Sequence, residues 1–367
     1  MSILIFIIGI VVLIVVHEFG HFVVAKLSRM RVDEFGLGYP PRAAIIGKIG
    51  ETILSLNWLP FGGFVKIYGE DFDVGEVKDK RAFSSKNHAV QALVLTAGIA
   101  MNLLLAYVLI TSALIMGTPR ALLPSEIANA RDAELAVANV LPDTPAANAG
   151  LLPGDIILSA EDGHYAFRGT DPDAFMKFVS NGEGNTTVTL SVRHADGKEV
   201  LLFARPVAGV VASDPSRPAL GVEVVTIGVV PLSFFQAITE GASLTWGAIT
   251  LTASGLWHFF YTIFTFSADF SQVAGPIGIA RAVSAEAAQG FGNLFSIMAI
   301  ISINLALINL IPIPALDGGR LLFVGIESVI RRPIKANVAR AVNSIGFALL
   351  VLLMVVVTAH DIFRIVG

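Results

Sequence analysis

The chain has no cysteine. That excludes a disulfide framework and any thiolate metal ligand, so a metal site here must be built from His, Asp or Glu. Charge is also scarce: Asp, Glu, Lys and Arg make up 15% of the 367 residues, where soluble domains average about 25%. The net charge of −4 is mild and leaves no basic footprint, which argues against a nucleic-acid partner. The first hydrophobic run has neither a basic leader nor a small-residue cleavage site, so it is expected to be a retained helix and not a signal peptide. What fills the sequence instead is apolar: 54% of the residues are hydrophobic and the mean hydropathy is +0.73. The chain reads as an integral membrane protein, in contact with lipid, with room for one soluble domain.

Four runs have the length of about 20 apolar residues that a bilayer requires, or come close to it: residues 2–25, 89–116, 292–311 and 342–358. Lys26, Arg29 and Arg31 follow the first run, and Arg320, Arg331, Arg332, Lys335 and Arg340 follow the third. Basic flanks mark cytoplasmic loops. They place the N-terminus and the segment after the second run outside. The expected fold class is therefore a multi-pass α-helical membrane protein of about four spans, to which the connecting segments add a membrane re-entrant β element and one inserted α/β domain.

The connecting segments are read as follows. Residues 26–87 form a cytoplasmic-side loop. Its glycine-rich and β-branched stretches at 43–46 and 52–59, followed by Pro60-Phe61-Gly62-Gly63-Phe64-Val65-Lys66-Ile67, predict hairpins too short to span. Sheet at membrane depth is tolerated only against protein or a wet cavity, so the hairpins are expected to fold back near a site. Residues 70–86 are charged, solvated and without an assigned partner. Residues 118–207 lose the hydrophobic run. Within them, Asp143-Thr144-Pro145-Ala146-Ala147-Asn148-Ala149-Gly150-Leu151-Leu152-Pro153-Gly154-Asp155 reads as turn, short helix, tight turn and strand. This segment resembles a PDZ domain, on the extracytoplasmic side. Such domains bind peptide ends by adding a strand. Residues 208–290 are expected to be a linker carrying a surface or bundle-packed helix over 231–266.

The chemistry-bearing stretch is His17-Glu18-Phe19-Gly20-His21, inside the first run. On a helix this spacing puts two histidines on one face with a carboxylate beside them, the arrangement of two zinc ligands and a general base. Ionisable groups inside a span cost roughly 2.5 kcal/mol or more each and therefore call for a functional reason. A catalytic zinc needs a third protein ligand. Asp317 is the candidate, in Asn309-Leu310-Ile311-Pro312-Ile313-Pro314-Ala315-Leu316-Asp317-Gly318-Gly319. The two prolines must break the third helix there. Asp317 then enters from the cytoplasmic end of its own run, at the depth of His17 and His21. Asn304 or Asn309 could donate to an oxyanion or to substrate backbone, whereas Asn102 reads as glue between helices and His258 as an interfacial side chain. A substrate helix would have to unwind, and the sheet edges around residues 43–67 could pair with the unwound strand.

The two motifs together with the PDZ-like insert make the chain resemble a site-2 protease, most closely the bacterial regulator-of-sigma-E intramembrane zinc metalloproteases. The resemblance covers nearly the whole chain. It implies Zn2+ on His17, His21 and Asp317, with Glu18 catalytic. It further implies that Gly62, Gly63, Phe64, Val65 and Lys66 belong to a re-entrant β element near substrate, and that Gly275-Pro276-Ile277-Gly278 is a family segment. The implied substrates are single-span membrane proteins, such as trimmed anti-sigma factors or signal-peptide remnants. There is one PDZ-like domain where relatives carry two, and Ile99 stands where relatives often have proline. Two other readings remain: an inactive membrane scaffold that binds peptide termini through its PDZ-like domain, and a transporter with broken helices. The intact Glu18 disfavours the first, and the lack of internal repeats disfavours the second.

Overall fold

The computed structural model describes residues 2–70, 79–181, 186–194, 197–210, 214, 216–230, 232–265 and 275–366. Two compact units make up the chain, one of residues 1–116 with 234–367 and the other of residues 117–233. The first unit opens with α1 (Ser2–Leu27), whose apolar residues run without a charge until Glu18. Two long strands follow, β1 (Val32–Ile49) and β2 (Thr52–Ile67). They are not a simple hairpin, because residues 32–37 pair on one side with 53–56 and on the other with 63–67, while 44–49 pair back onto 52–56. Each strand bends in its middle, giving four short antiparallel segments in place of the two short apolar stretches read from sequence. Residues 63–67 form one outer edge, and no further strand pairs with it among the described residues. Part of the charged 70–86 stretch, residues 71–78, lies outside the described residues.

α2 (His88–Ile115) begins where the Asn87 side chain accepts from Val90 N at 2.8 Å, satisfying one of the open N–H groups of its first turn. It packs on α1 at very short range. A Cβ on Gly20 would lie 2.5 Å from the Ala97 carbonyl oxygen, so only glycine allows this approach. Small residues at helix contacts replace the hydrophobic drive that lipid cannot supply. The end of α1, the start of β1, the end of β2, the first turns of α2 and the middle of α8 share a core of Ala25, Met30, Val32, Ile67, Phe83, Val94, Leu95 and Val324. This core seats the sheet against the C-terminal half of α1.

The second unit contains β3 (Arg120–Ala121), β4 (Arg131–Val140), α3 (Pro145–Asn148), β5 (Ile156–Glu161), β6 (Ala166–Phe167), α4 (Pro172–Asn181), β7 (Val188–Arg193), β8 (Glu199–Ala204) and β9 (Val222–Val229). The strands form one antiparallel sheet in the order β3-β9-β4-β5-β7-β8, with β6 on β5. β9 therefore corrects the expected boundary. Residues 222–229, inside the expected linker, return a strand between β3 and β4, and the unit runs to Ser233 rather than to 207. Strand β7 alternates buried and half-buried residues, the period-2 pattern of a one-sided sheet. Its Val188, Leu190 and Val192 join Leu135, Val137, Leu151 and Phe175 in the core.

Back in the first unit, α5 (Phe234–Phe264) packs along α2, with Tyr107 Oη donating to the Ile238 carbonyl at 3.2 Å. α6 (Pro276–Gln289) starts with proline in its first turn, where no N–H partner is lost. α7 (Phe291–Leu310) stops at the prolines, and α8 (Asp317–Ile330) and α9 (Ala336–Val366) follow. Within residues 291–323 the apolar helix thus ends before the prolines, and Asp317 opens a separate helix. A Cβ on Gly318 would lie 2.3 Å from the Ile311 carbonyl oxygen, and one on Gly319 2.3 Å from that of Ile313. These glycines let the new helix nest against the broken end of α7. At the far end of α9, the Asp361 carboxylate accepts from the backbone N–H groups of Gly275 (3.2 Å) and Gly278 (2.9 Å), a charge-assisted cap on α6. Helices α1, α2, α7 and α9 are each long and apolar enough to cross a membrane.

Candidate metal centre

Residues 17 and 21 lie one helical turn apart on α1, both 7% exposed, and their rings face the same point. The structure brings Asp317 to that point from 300 residues away. Its Oδ2 is 2.9 Å from His17 Nε2 and 3.3 Å from His21 Nε2, and the two Nε2 atoms are 3.2 Å apart. Ligands bound about 2.0 Å from one tetrahedral zinc stand roughly 3.3 Å from each other. The three atoms therefore already sit on one face of such a tetrahedron, and the residues fit the ion.

Around these atoms, α2 supplies one stripe at four-residue spacing. The Val94 carbonyl accepts a 2.8 Å hydrogen bond from His21 Nδ1. That puts the ring proton on Nδ1 and leaves the Nε2 lone pair facing the centre. Gly98 leaves room for the rings, since a Cβ there would lie 2.4 Å from His21 Nε2 and 2.8 Å from His17 Cε1. Asn102, fully buried, faces His17 Nδ1 at 3.3 Å. Its backbone carbonyl oxygen accepts from Ser302 Oγ of α7 at 2.8 Å. Reading the sequence for charged groups missed Val94 and Gly98 entirely. Their only signal was the i, i+4, i+8 spacing with Asn102, which is indistinguishable from ordinary packing until the partner helix is known.

Glu18 is half-buried. A Cβ on Gly63 would stand 3.1 Å from Glu18 Cγ and 2.9 Å from Ile14 Cγ2. The outer strand of the sheet therefore passes directly over the catalytic candidate, with no side chain between. Phe64 turns the other way, its ring over Gly36 in β1. Arg320, one turn into α8, pairs with Glu70 just past β2, tying the helix that carries Asp317 to the sheet. Asn304 has no hydrogen bond to His17, His21 or Asp317 among the described residues; its amide donates to the Ile300 carbonyl of its own helix at 3.0 Å, the local bond available to any polar side chain inside a helix. Asn309 stands half-buried in the last turn of α7, with no hydrogen bond to His17, His21 or Asp317 among the described residues.

Residues 5–353 match peptidase family M50. The chain belongs to that family. A Clostridium perfringens protein assigned as a zinc metalloprotease is 35% identical over 95% of both chains, and a Nostoc protein with the same assignment is 32% identical over 95% of this chain and 93% of its own length. Zinc metalloprotease RasP of Oceanobacillus iheyensis is 26% identical over 96% of each. The PDZ domain of an SdrC-like protein from Listeria monocytogenes matches 25% of this chain and 86% of its own length, with 22% identity and a TM-score of 0.21. This M50 peptidase is thus a zinc metalloendopeptidase of the site-2 protease family, and the convergence of His17, His21 and Asp317 is the cluster of metal-type ligands among its described residues.

Proposed function

We propose that this M50 protease hydrolyses a peptide bond within or near the transmembrane segment of single-span membrane proteins. In this reading, His17, His21 and Asp317 hold the zinc and Glu18 is the general base. The observation that carries it is the convergence of three ligand atoms, at 2.9 to 3.3 Å from one another, beside a helix apolar enough to cross a bilayer. When bound, zinc supplies Lewis-acid polarisation of the scissile carbonyl and acidifies an attacking water. Glu18 takes the water's proton and returns it to the leaving amine, a role worth on the order of 10²–10⁴-fold.

A substrate helix hides its carbonyls in its own hydrogen bonds, so it must unwind to be cut. The free edge of residues 63–67 offers backbone partners to the unwound strand, and Gly63 lets that strand lie close to Glu18. Gly63 and Phe64 belong to this substrate platform, with Asn309 as a further backbone donor. Trimmed anti-sigma factors and signal-peptide remnants are substrates of the right architecture. The PDZ-like unit lies on the extracytoplasmic side and takes peptide C-termini. Basic residues after α1 and α8 place the zinc toward the cytoplasmic half of the bilayer.

The test is cleavage of a single-span substrate by purified protein in detergent, wild type beside Glu18→Gln, with zinc content measured for both. Cleavage by wild type alone, with one zinc in each, supports the reading. Equal cleavage by the variant refutes the role of Glu18. Binding of the substrate without cleavage by either protein would instead fit a PDZ-like scaffold.

A further inference from the structure

Asn102 has the burial and contacts of a residue with a task. No part of it is exposed. Its amide nitrogen lies 3.3 Å from His17 Nδ1, while its Oδ1 is buried without a hydrogen-bond partner. An unpartnered buried amide oxygen carries a desolvation cost, so its presence beside a metal ligand needs a reason. Ligation by His17 supplies one. Its Nε2 faces Asp317 Oδ2 at 2.9 Å, while its Nδ1 faces the Asn102 side-chain amide at 3.3 Å. A ring that gives its Nε2 lone pair to a metal must carry the proton on Nδ1, and then Nδ1 needs an acceptor. Half a turn about the Cβ–Cγ bond of Asn102 presents Oδ1 in that place.

We propose that Asn102 is the positioning residue of His17: its side-chain oxygen accepts the Nδ1 proton when Nε2 holds zinc. Val94 does the same for His21 through a backbone carbonyl, which no side-chain substitution removes. Among the described residues His17 Nδ1 meets a side chain in that position. The inference rests on the reading that His17 is a zinc ligand.

The experiment measures zinc affinity of full-length protein in detergent by chelator competition. Asn102→Leu and Asn102→Ala remove the acceptor, Asn102→Asp keeps an oxygen in its place, and His17→Ala tests the ligand itself. Outer-shell partners of ligating histidines typically contribute 10–100-fold in affinity. The expected result is a loss of that size in Asn102→Leu and Asn102→Ala, recovery to within threefold in Asn102→Asp, and no added loss when Asn102→Leu is combined with His17→Ala. Thermal unfolding of the metal-free proteins separates a packing defect, which would lower every variant's transition in step with its affinity. Wild-type affinity in Asn102→Leu overturns the proposal, as does equal loss in the Leu and Asp variants. Wild-type affinity in His17→Ala overturns the metal-site reading instead.

Discussion

Gly98 offers the sharpest test of the metal centre, because adding one methyl group there should move stability and function in opposite directions. It lies in the interior of α2, where replacing glycine with alanine normally stabilises a helix by about 0.8–1 kcal/mol. The new Cβ would stand 2.4 Å from His21 Nε2 and 2.8 Å from both Cε1 atoms of the pair, where ordinary contact begins at 3.4 Å. The rings hang on rotatable bonds, so they can retreat and the fold survives. Retreat by about 1 Å pulls His21 off the Val94 carbonyl and spreads the ligand triangle, and loss of such a supporting partner typically costs about 10–100-fold in metal affinity. Gly98→Ala is therefore expected to unfold at or above the wild-type temperature without metal, yet to bind zinc about 100-fold more weakly, or about 2.7 kcal/mol, and to cleave correspondingly less at limiting zinc. Gly255→Ala on α5 is the control, since nothing lies within 4 Å of its added Cβ, and it should keep both affinity and activity. Zinc affinity and turnover within threefold of wild type in Gly98→Ala would refute the claim that α2 shapes the site.

Three further predictions follow from the same structure. Asp317→Asn weakens an anionic ligand and should lose zinc in equilibrium dialysis while leaving the helical circular dichroism unchanged; full zinc retention would exclude Asp317 as a ligand. Phe175 is 1% exposed in the sheet unit, and Phe175→Ala should destabilise that unit by roughly 3–5 kcal/mol, read as a lower midpoint in denaturant followed by a probe placed within residues 117–233. In the same unit, the Arg120 guanidinium beside Glu126 holds that carboxyl below the usual carboxylate range. The folded value lies below the unfolded one, so the pair's stabilisation is present above the ordinary glutamate range and is lost as pH falls through the depressed value; Glu126→Gln should flatten the acid limb of the stability profile, and an unchanged limb would show the pair to be inert.

Much of this protein is local information. The charge-free run to Glu18, the i, i+4 histidines and the double proline after Leu310 each depend on neighbours within a turn or two. They fix the helix, the shared face of His17 and His21, and the break before Asp317 from sequence alone. The glycines after Asp317 were legible for the same reason, as a place where backbones come close. What the sequence could not hold was which faces meet. Asp317 reaches His17 only because Gly318 and Gly319 let α8 nest on the broken end of α7. Asn102 looks like any polar residue between helices until Gly20 brings α1 close enough to put His17 against it. Asn304 bonds a carbonyl on its own helix, a local contact that chemistry alone does not separate from a role at the centre. β9 carries a strand pattern that a linker reading passed over, since its partners, β3 and β4, lie 82 to 108 residues upstream. Periodicity is written along the chain and can be read there; pairing between distant segments is decided by the close contacts that small residues permit.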